Sequence, residues 1–193
     1  MFDPGLSLET SLVWLRPMEE NDFASFHQLA QDHDAWTYFS HNLADATQLR
    51  IWMDLCFADR EAQTRHPFTI IEKASGAPCG SMSMGKISFY DLRLEIGWSW
   101  LSAAYRGTQI NLHAKFAMMQ HAFEIYQFER VEFKTDVLNA RARRGLEKIG
   151  GQKEGVFRSH MTMWNNRRRS SVYYSVLRNE WGTVKGIFFK GLE

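Results

Sequence analysis

Apolar residues along this chain switch between two spacings, and each switch marks a change of element. Residues 12–17, LVWLRP, form a short apolar run that reads as a strand. In NDFASFHQLA, residues 21–30, Phe23, Phe26 and Leu29 share one helical face behind an Asn/Asp start, which predicts a capped helix. DATQLRIWMDLCF, residues 45–57, opens with Asp45 three residues before Gln48 and places Leu49, Trp52 and Cys56 on a common side, the pattern of a second helix. From residue 67 the period changes. PFTIIEK, SMSMGKISF and LRLEIGWSWL give three successive strands, the first two joined by a turn at ASGAPCG, and together they predict an antiparallel meander.

Beyond the meander, Leu112, Phe116, Met119, Phe123 and Tyr126 return at steps of four and three, a helix with one stripe toward a core. RVEFKTDVL reads as a strand. NARARRGLEKIGG reads as a helix with Ala142, Leu146 and Ile149 inward, Arg141, Arg143, Arg144 and Lys148 mostly outward, and Gly150 or Gly151 as its stop. SSVYYSVL is the last strand. This order predicts an α+β fold whose central mixed, mostly antiparallel sheet is flanked by helices. A single domain is expected over residues 1–193, with its core at about 10–181 and residues 182–193 as a tail of no assigned structure.

One loop in this order invites a ligand. YRGTQIN, residues 105–111, joins a strand ending at Leu101 to the helix from about Asn111, so several free N–H groups and a positive helix end aim at one place. An anion would be stabilised there. A phosphate loop usually brings the backbone close through several glycines, yet here only Gly107 remains, with Gln109 and Asn111 in the later places. With a negative φ, Gln109 turns its side chain outward and keeps its N–H pointing in. A positive φ would store ~1–2 kcal/mol of strain, so the negative value is the expectation.

Composition narrows the class. The chain has 193 residues, 45% hydrophobic and 14% aromatic, enough for one substantial core. No run suits a membrane span, and the opening MFDPGLSLET lacks the basic start and apolar stretch of a signal peptide, so a cytoplasmic protein is expected. Cys56 and Cys79 have no ligand spacing and read as buried free thiols; no metal site is indicated. His113 and His121, eight apart on one helix, read as surface residues. A net charge of +1 argues against a nucleic-acid partner. The charge is uneven, however: residues 1–65 hold 11 acids and 4 Lys/Arg, whereas 141–169 hold 9 Lys/Arg and 2 acids. One end would attract a cation and the other an anion, unless both are merely solvated faces. NNRRRS at 165–170 has the composition to grip phosphate or RNA, but three arginines in a polar turn are more often a solvated hairpin tip.

LEIGWSWLSAAYRGTQIN, followed by NARARRGLEKIGGQKEGVFRSHM and closed by YYSVLRNEW, resembles the GNAT N-acetyltransferases, in the branch similar to RimJ and RimL. The likeness extends from LRPMEENDF to VLRNEW. It implies a GNAT-like fold, acetyl-CoA as cosubstrate without a metal, and direct transfer of the acetyl group to a primary amine of a protein N-terminus or a small molecule. The family's loop pattern Q/R-x-x-G-x-G/A falls on Arg106 to Asn111, which implies that Arg106, Gly107, Thr108, Gln109, Ile110 and Asn111 hold the pyrophosphate while Trp100 and Leu101 follow the pantetheine. Asn139 resembles the asparagine that contacts the cofactor or orders a water, and it also stands where a helix N-cap belongs. The serine often found three residues on is Ala142 here, so that general acid is absent.

Amine attack on a thioester needs a neutral amine, a stabilised oxyanion and a departing thiolate. Glu95 and His160 are the two bases expected near the cleft, with Glu95 slightly preferred because its strand adjoins the cofactor. Each has a competing reading: Glu95 as an exposed strand carboxylate facing Arg93 or another strand, and His160 as a hydrogen-bonded wall residue. Tyr105 and Tyr173 are candidate acids, though a tyrosine at a loop or strand edge usually packs. The acidic first 65 residues then favour cationic acceptors. A non-catalytic acyl-CoA-binding regulatory module of the same fold is the alternative function, and an RNA binder using residues 141–169 a third. A homodimer is compatible with the sequence, which fixes no oligomeric state.

Overall fold

A computed structural model describes residues 2–192. The strands are β1 (Leu8–Glu9), β2 (Val13–Pro17), β3 (Arg65–Glu72), β4 (Pro78–Ser88), β5 (Arg93–Leu101), β6 (Arg130–Asp136), β7 (Gln152–Thr162) and β8 (Arg168–Leu177). The helices are α1 (Asp22–Leu29), α2 (Ala46–Glu61), α3 (Ile110–Gln120), α4 (Ala140–Glu147) and α5 (Arg178–Phe188). All eight strands form one sheet in the order β1-β2-β3-β4-β5-β6-β8-β7. Neighbours are antiparallel except β5 and β6, which pair in parallel only over Arg93–Glu95 and Arg130–Glu132. Both strands run on past that point, β5 to Leu101 and β6 to Asp136. A wedge therefore opens in the middle of the sheet.

Two cores, one on each face, hold the sheet. On one side α3, α5 and the end of α4 bury Leu15, Phe68, Ile70, Met82, Met84, Leu94, Ile96, Val131 and Phe133. On the other, α1 and α2 bury Phe26, Trp36, Trp52 and Trp100. Period-2 patterning suggests that Ser81 and Ser83 face water, but α1 and α2 cover them. Ser81 Oγ donates to the Phe68 carbonyl at 2.8 Å and Ser83 Oγ accepts from Arg65 Nε at 2.9 Å, so neither hydroxyl is left without a partner.

The expected meander and the helices at 22–29, 46–61, 110–120 and 140–147 are present. Several details differ. Asn21 makes no side-chain cap; Asp22 instead turns inward to Arg16 and to Thr69 Oγ1, the latter at 2.6 Å. Asp45 does cap α2, accepting from Gln48 N at 2.9 Å. Of the apolar stripe expected from Leu112 to Tyr126, Phe116 on α3 and Phe123 in the π-helical turn His121–Ile125 that follows it meet Trp181 of α5, Tyr126 packs on Phe89 and Phe128, and Ile110, Ala114 and Met118 also enter the core. His113 is not a surface residue. It is buried, with Nδ1 2.8 Å from Thr10 Oγ1, and His121 stacks edge-on against Tyr126. The expected tail begins inside α5, which places Val184 and Phe189 in the core. Gly182 and Gly186 obscure that helix in the sequence, because glycine is the weakest ordinary helix former. Cys56 and Cys79 are buried free thiols, and burial pushes them up to about 12 and about 11. Among the described residues no helix is long and apolar enough to cross a membrane.

Candidate active site

The mouth of the wedge is built from backbone. After β5 the chain makes a short 3₁₀ turn at Ala103–Tyr105 and enters α3 at Ile110. Gly107 sits at φ +85, a left-handed position that glycine takes without strain. Gln109, the unexpected residue of the loop, has φ −73 and lies in the helical region, so it needs no glycine. The N–H groups of Gly107, Gln109, Asn111 and Leu112 meet no acceptor among the described residues, and no acid occupies the first turn of α3. Thr108 Oγ1 donates to the Tyr105 carbonyl at 2.7 Å and ties the loop to the turn before it. These donors and the positive helix end suit a pyrophosphate. Trp100 and Leu101 have buried side chains, so what they offer the wedge is backbone. Arg106 does not reach toward the mouth: its guanidinium is bound by Asp32, at the start of the Asp32–Trp36 turn.

Side chains, aimed by three bulges, form the opposite end. Between Gly85 and Ser88 the register of β4 gains a residue and Lys86 adopts φ +49. Between Ser81 and Ser83 the extra residue is on β5, where Trp98 adopts φ +52. Between Phe157 and Met161 β7 bulges, with Ser159 at φ +47 beside His160. Bulges redirect side chains, and non-glycine residues hold such dihedrals only where their surroundings impose them. Here they bring Lys86, Trp98 and His160 to one face, that of α1 and α2. Gly85 makes room for the Trp98 ring, since a Cβ there would lie 2.4 Å from it.

Glu95 is at the centre of this face and only 2% exposed. Lys86 Nζ lies 2.8 Å from one carboxylate oxygen and Lys134 Nζ 3.3 Å from the other. The expected exposed carboxylate is thus corrected to a buried one, and of its two expected partners it is the neighbouring strands, through Lys86 of β4 and Lys134 of β6, and not Arg93 that it faces. Burial works against the Lys86 charge, but the hydrogen bond and charge of Glu95 outweigh it and raise the pKa; burial dominates at Lys134 and lowers it. His160 is exposed, with Nδ1 3.0 Å from Ser171 Oγ and its ring between Phe157 and Tyr173. Partial burial, then the charges of Lys134 and Lys86, hold its pKa below the usual histidine value and favour the neutral ring. Tyr173 faces the same cluster, 6.0 Å from each lysine nitrogen, and burial raises its pKa. Tyr105 is elsewhere, its hydroxyl 3.3 Å from Glu72 Oε2. Asn139 Oδ1 accepts from Ala142 N at 2.9 Å, so it does cap α4.

The β7–β8 hairpin folds over this face. Trp164 donates its indole N–H to the Trp36 carbonyl at 2.9 Å, and Arg167 pairs with the fully buried Asp136. The segment 165–170 is therefore not simply a solvated tip. Most of the acids in the first 65 residues are likewise engaged: Asp22 and Glu19 with Arg16, Asp32 with Arg106, Glu20 and Asp54 with Arg50, Asp59 with Arg65, and Glu9 with Lys73. A surface hollow of about 280 Å³ between Glu9, Trp14 and Lys73 lies at the far sheet edge, remote from the wedge. Among the described residues no group of three His, Cys, Asp or Glu is placed to hold a metal.

Residues 13–152 match the family described as the acetyltransferase (GNAT) domain. The chain belongs to the GNAT acetyltransferases. Within that family it is similar to YdaF of Bacillus subtilis (strain 168), provisionally named a ribosomal N-acetyltransferase, with 31% identity over 106 residues, 55% of this chain and 57% of YdaF. The chain thus spans little more than half of YdaF's length in that match. A crystal structure of a provisionally named acetyltransferase from T. thermophilus has a TM-score of 0.88 at 27% identity, with 100% of each chain covered. RimJ from Mycobacterium smegmatis, in complex with CoA-disulfide, shares the fold with a TM-score of 0.78 at 18% identity, over 91% of this chain and 89% of RimJ.

In this GNAT domain Lys86, Trp98 and Lys134 carry no motif of their own, and Arg169 of β8 stands out only as part of NNRRRS. A signal existed for two of them: Gly85 and Gly97 each interrupt a strand one residue before a bulge.

Proposed function

We propose that the protein is an acetyl-CoA-dependent N-acetyltransferase that transfers the acetyl group directly to a primary amine, on a protein N-terminus or a small molecule. One observation carries the reading: the wedge between β5 and β6 has unpartnered N–H groups at its mouth and an ordered set of titratable side chains beside its apex. The pyrophosphate would lie on residues 106–111, with the pantetheine along the unpaired end of β5.

His160 is the better base. With its proton on Nδ1, donated to Ser171 Oγ, Nε2 is free to accept a proton from the amine. Glu95 already holds two lysines and is better placed to position them than to take a proton. As nitrogen bonds to the acetyl carbon the C–S bond breaks, the amine proton goes to His160, and the thiolate takes a proton from the Tyr173 hydroxyl. Burial of Tyr173 keeps that hydroxyl protonated at neutral pH. Lys86 and Lys134 also disfavour an ammonium nearby, which helps an amine to be neutral. Ala142 in place of a serine is what favours the regulatory-module reading.

Free-thiol release from acetyl-CoA across a panel of peptides and small amines, beside a CoA titration, tests the proposal. Release that depends on an amine is expected. CoA binding without release for every amine would favour the regulatory module.

A further inference from the structure

The acceptor face carries more cationic groups than the protein itself satisfies. Glu95 is shared by two ammonium groups, each with three N–H donors, so most of those donors are left over. Arg169 adds to the excess. It lies on β8 two residues before Ser171 and four before Tyr173, on the same face as His160. It is only 7% exposed, yet its guanidinium has no hydrogen bond or ion pair among the described residues, and its Nε is wholly shielded. The nearby acid, Asp136, is taken by Arg167. Around the cluster Arg130 is matched by Glu132 and Glu154, and Arg65 reaches Asp59 and Ser83 Oγ while one of its terminal nitrogens has no acceptor.

A buried guanidinium without a partner is costly, and proteins keep one where a ligand supplies the missing acceptor. We infer that the amine acceptor also carries a carboxylate, which is seated on Arg169 with help from Lys86 and Lys134. This rests on the N-acetyltransferase reading and names its substrate class. It reverses the expectation of a cationic acceptor drawn from the acidic first 65 residues, because those acids are spent on structural pairs while the face beside the wedge is basic. The cations do two things at once. They hold the carboxylate, and they lower the pKa of the amine attached to it, so more of the acceptor is in the neutral, reactive form.

Two sources share this chemistry, a free amino acid and a peptide with an acidic residue near its N-terminus. The test uses matched pairs: glutamate against glutamine amide, and an N-terminal peptide with Glu at its second position against its Gln counterpart. Acetyl transfer is measured for each with wild-type protein, Arg169→Gln and Arg169→Lys. Binding of each compound without acetyl-CoA is followed in parallel by tryptophan fluorescence, to which Trp98 beside the lysines contributes. The carboxylate member of one pair should have a KM lower by roughly 10- to 100-fold, an advantage that R169Q removes and R169K partly restores. The pair that shows it identifies the source. If amines are acetylated but the carboxylate gives no advantage in KM or binding, or R169Q keeps it, the inference is overturned and the transferase stands. If no amine is acetylated but the carboxylates bind through Arg169, the transferase reading fails and the anion seat stands. Absence of carboxylate binding overturns the seat whether or not there is turnover.

Discussion

The two ends of the wedge are built from different materials. At its mouth Gly107, Gln109, Asn111 and Leu112 present unpartnered main-chain N–H groups, and Gln109 and Asn111 can differ from glycine because neither has a left-handed φ. At its apex the contributing groups are side chains, each depending on a bulge one residue long or two. A site made of backbone survives substitution as long as its dihedrals survive; a site made of side chains is lost with the residue. The mouth is thus legible as geometry and the apex only as chemistry.

Replacing His160 should have the largest effect. H160A is expected to lower kcat by roughly 10²- to 10⁴-fold and to abolish the acid limb of the pH profile, with CoA affinity unchanged. The wild-type limb should fall below the ordinary histidine pKa, because the neutral ring is the active form and burial with two lysines favours it. Full activity of H160A from about pH 6 to 9 would remove side-chain chemistry from the apex and leave orientation alone.

Gly107→Val is the corresponding break at the mouth. Space around the new side chain is open, but a β-branched residue resists φ +85, and the loop must shift. CoA affinity should fall by roughly tenfold or more in a calorimetric titration, while the far-ultraviolet spectrum is unchanged. Equal affinity would show that these N–H groups are not the anion site.

A third measurement separates chemistry from folding. His66 is fully buried against Phe68 and Phe2, and burial pulls its pKa down to about 4. Between about pH 6.5 and 4 the unfolded chain binds a proton there that the folded chain does not, so stability is intact above that window and declines as pH falls through it, by up to roughly 3 kcal/mol. His66→Phe should flatten this decline in urea unfolding without moving the acid limb of activity. If the limb moves with it, the limb reports unfolding and not His160.

Gln109→Gly should be the mildest change. At φ −73 glycine relieves no strain and only loosens the loop, so CoA affinity should change by less than about fivefold. A large gain would mean that the glutamine side chain obstructs the mouth.

Much of the architecture is readable because strands and helices announce themselves by period. Phe68 and Ile70, Met82 and Met84, and Leu94 and Ile96 alternate as the sheet requires. What alternation does not reveal is the second layer. It marks Thr69, Ser81 and Ser83 as outward, and they are outward from the larger core, but into the smaller one rather than into water. The bulges go unread for a related reason: one extra residue reverses which face the next side chain takes, and the sequence carries only a glycine as notice. Arg167 and Arg169 mislead because a run of arginines looks solvated until a fold supplies Asp136 for one and nothing for the other.

The short contact between β5 and β6 has a thermodynamic consequence as well. Within the sheet, only three registered residue pairs join the first five strands to the last three, although a shared core and the Lys134–Glu95 pair also link them. A ligand lying in the wedge as proposed would span both groups and act as a suture, adding ~2.7 kcal/mol of stability at a hundred times its Kd through mass action alone. Amide exchange along Ile96–Leu101 should then slow more on CoA binding than exchange in β2 or β3, because that strand end is where the two halves of the sheet become one cooperative unit.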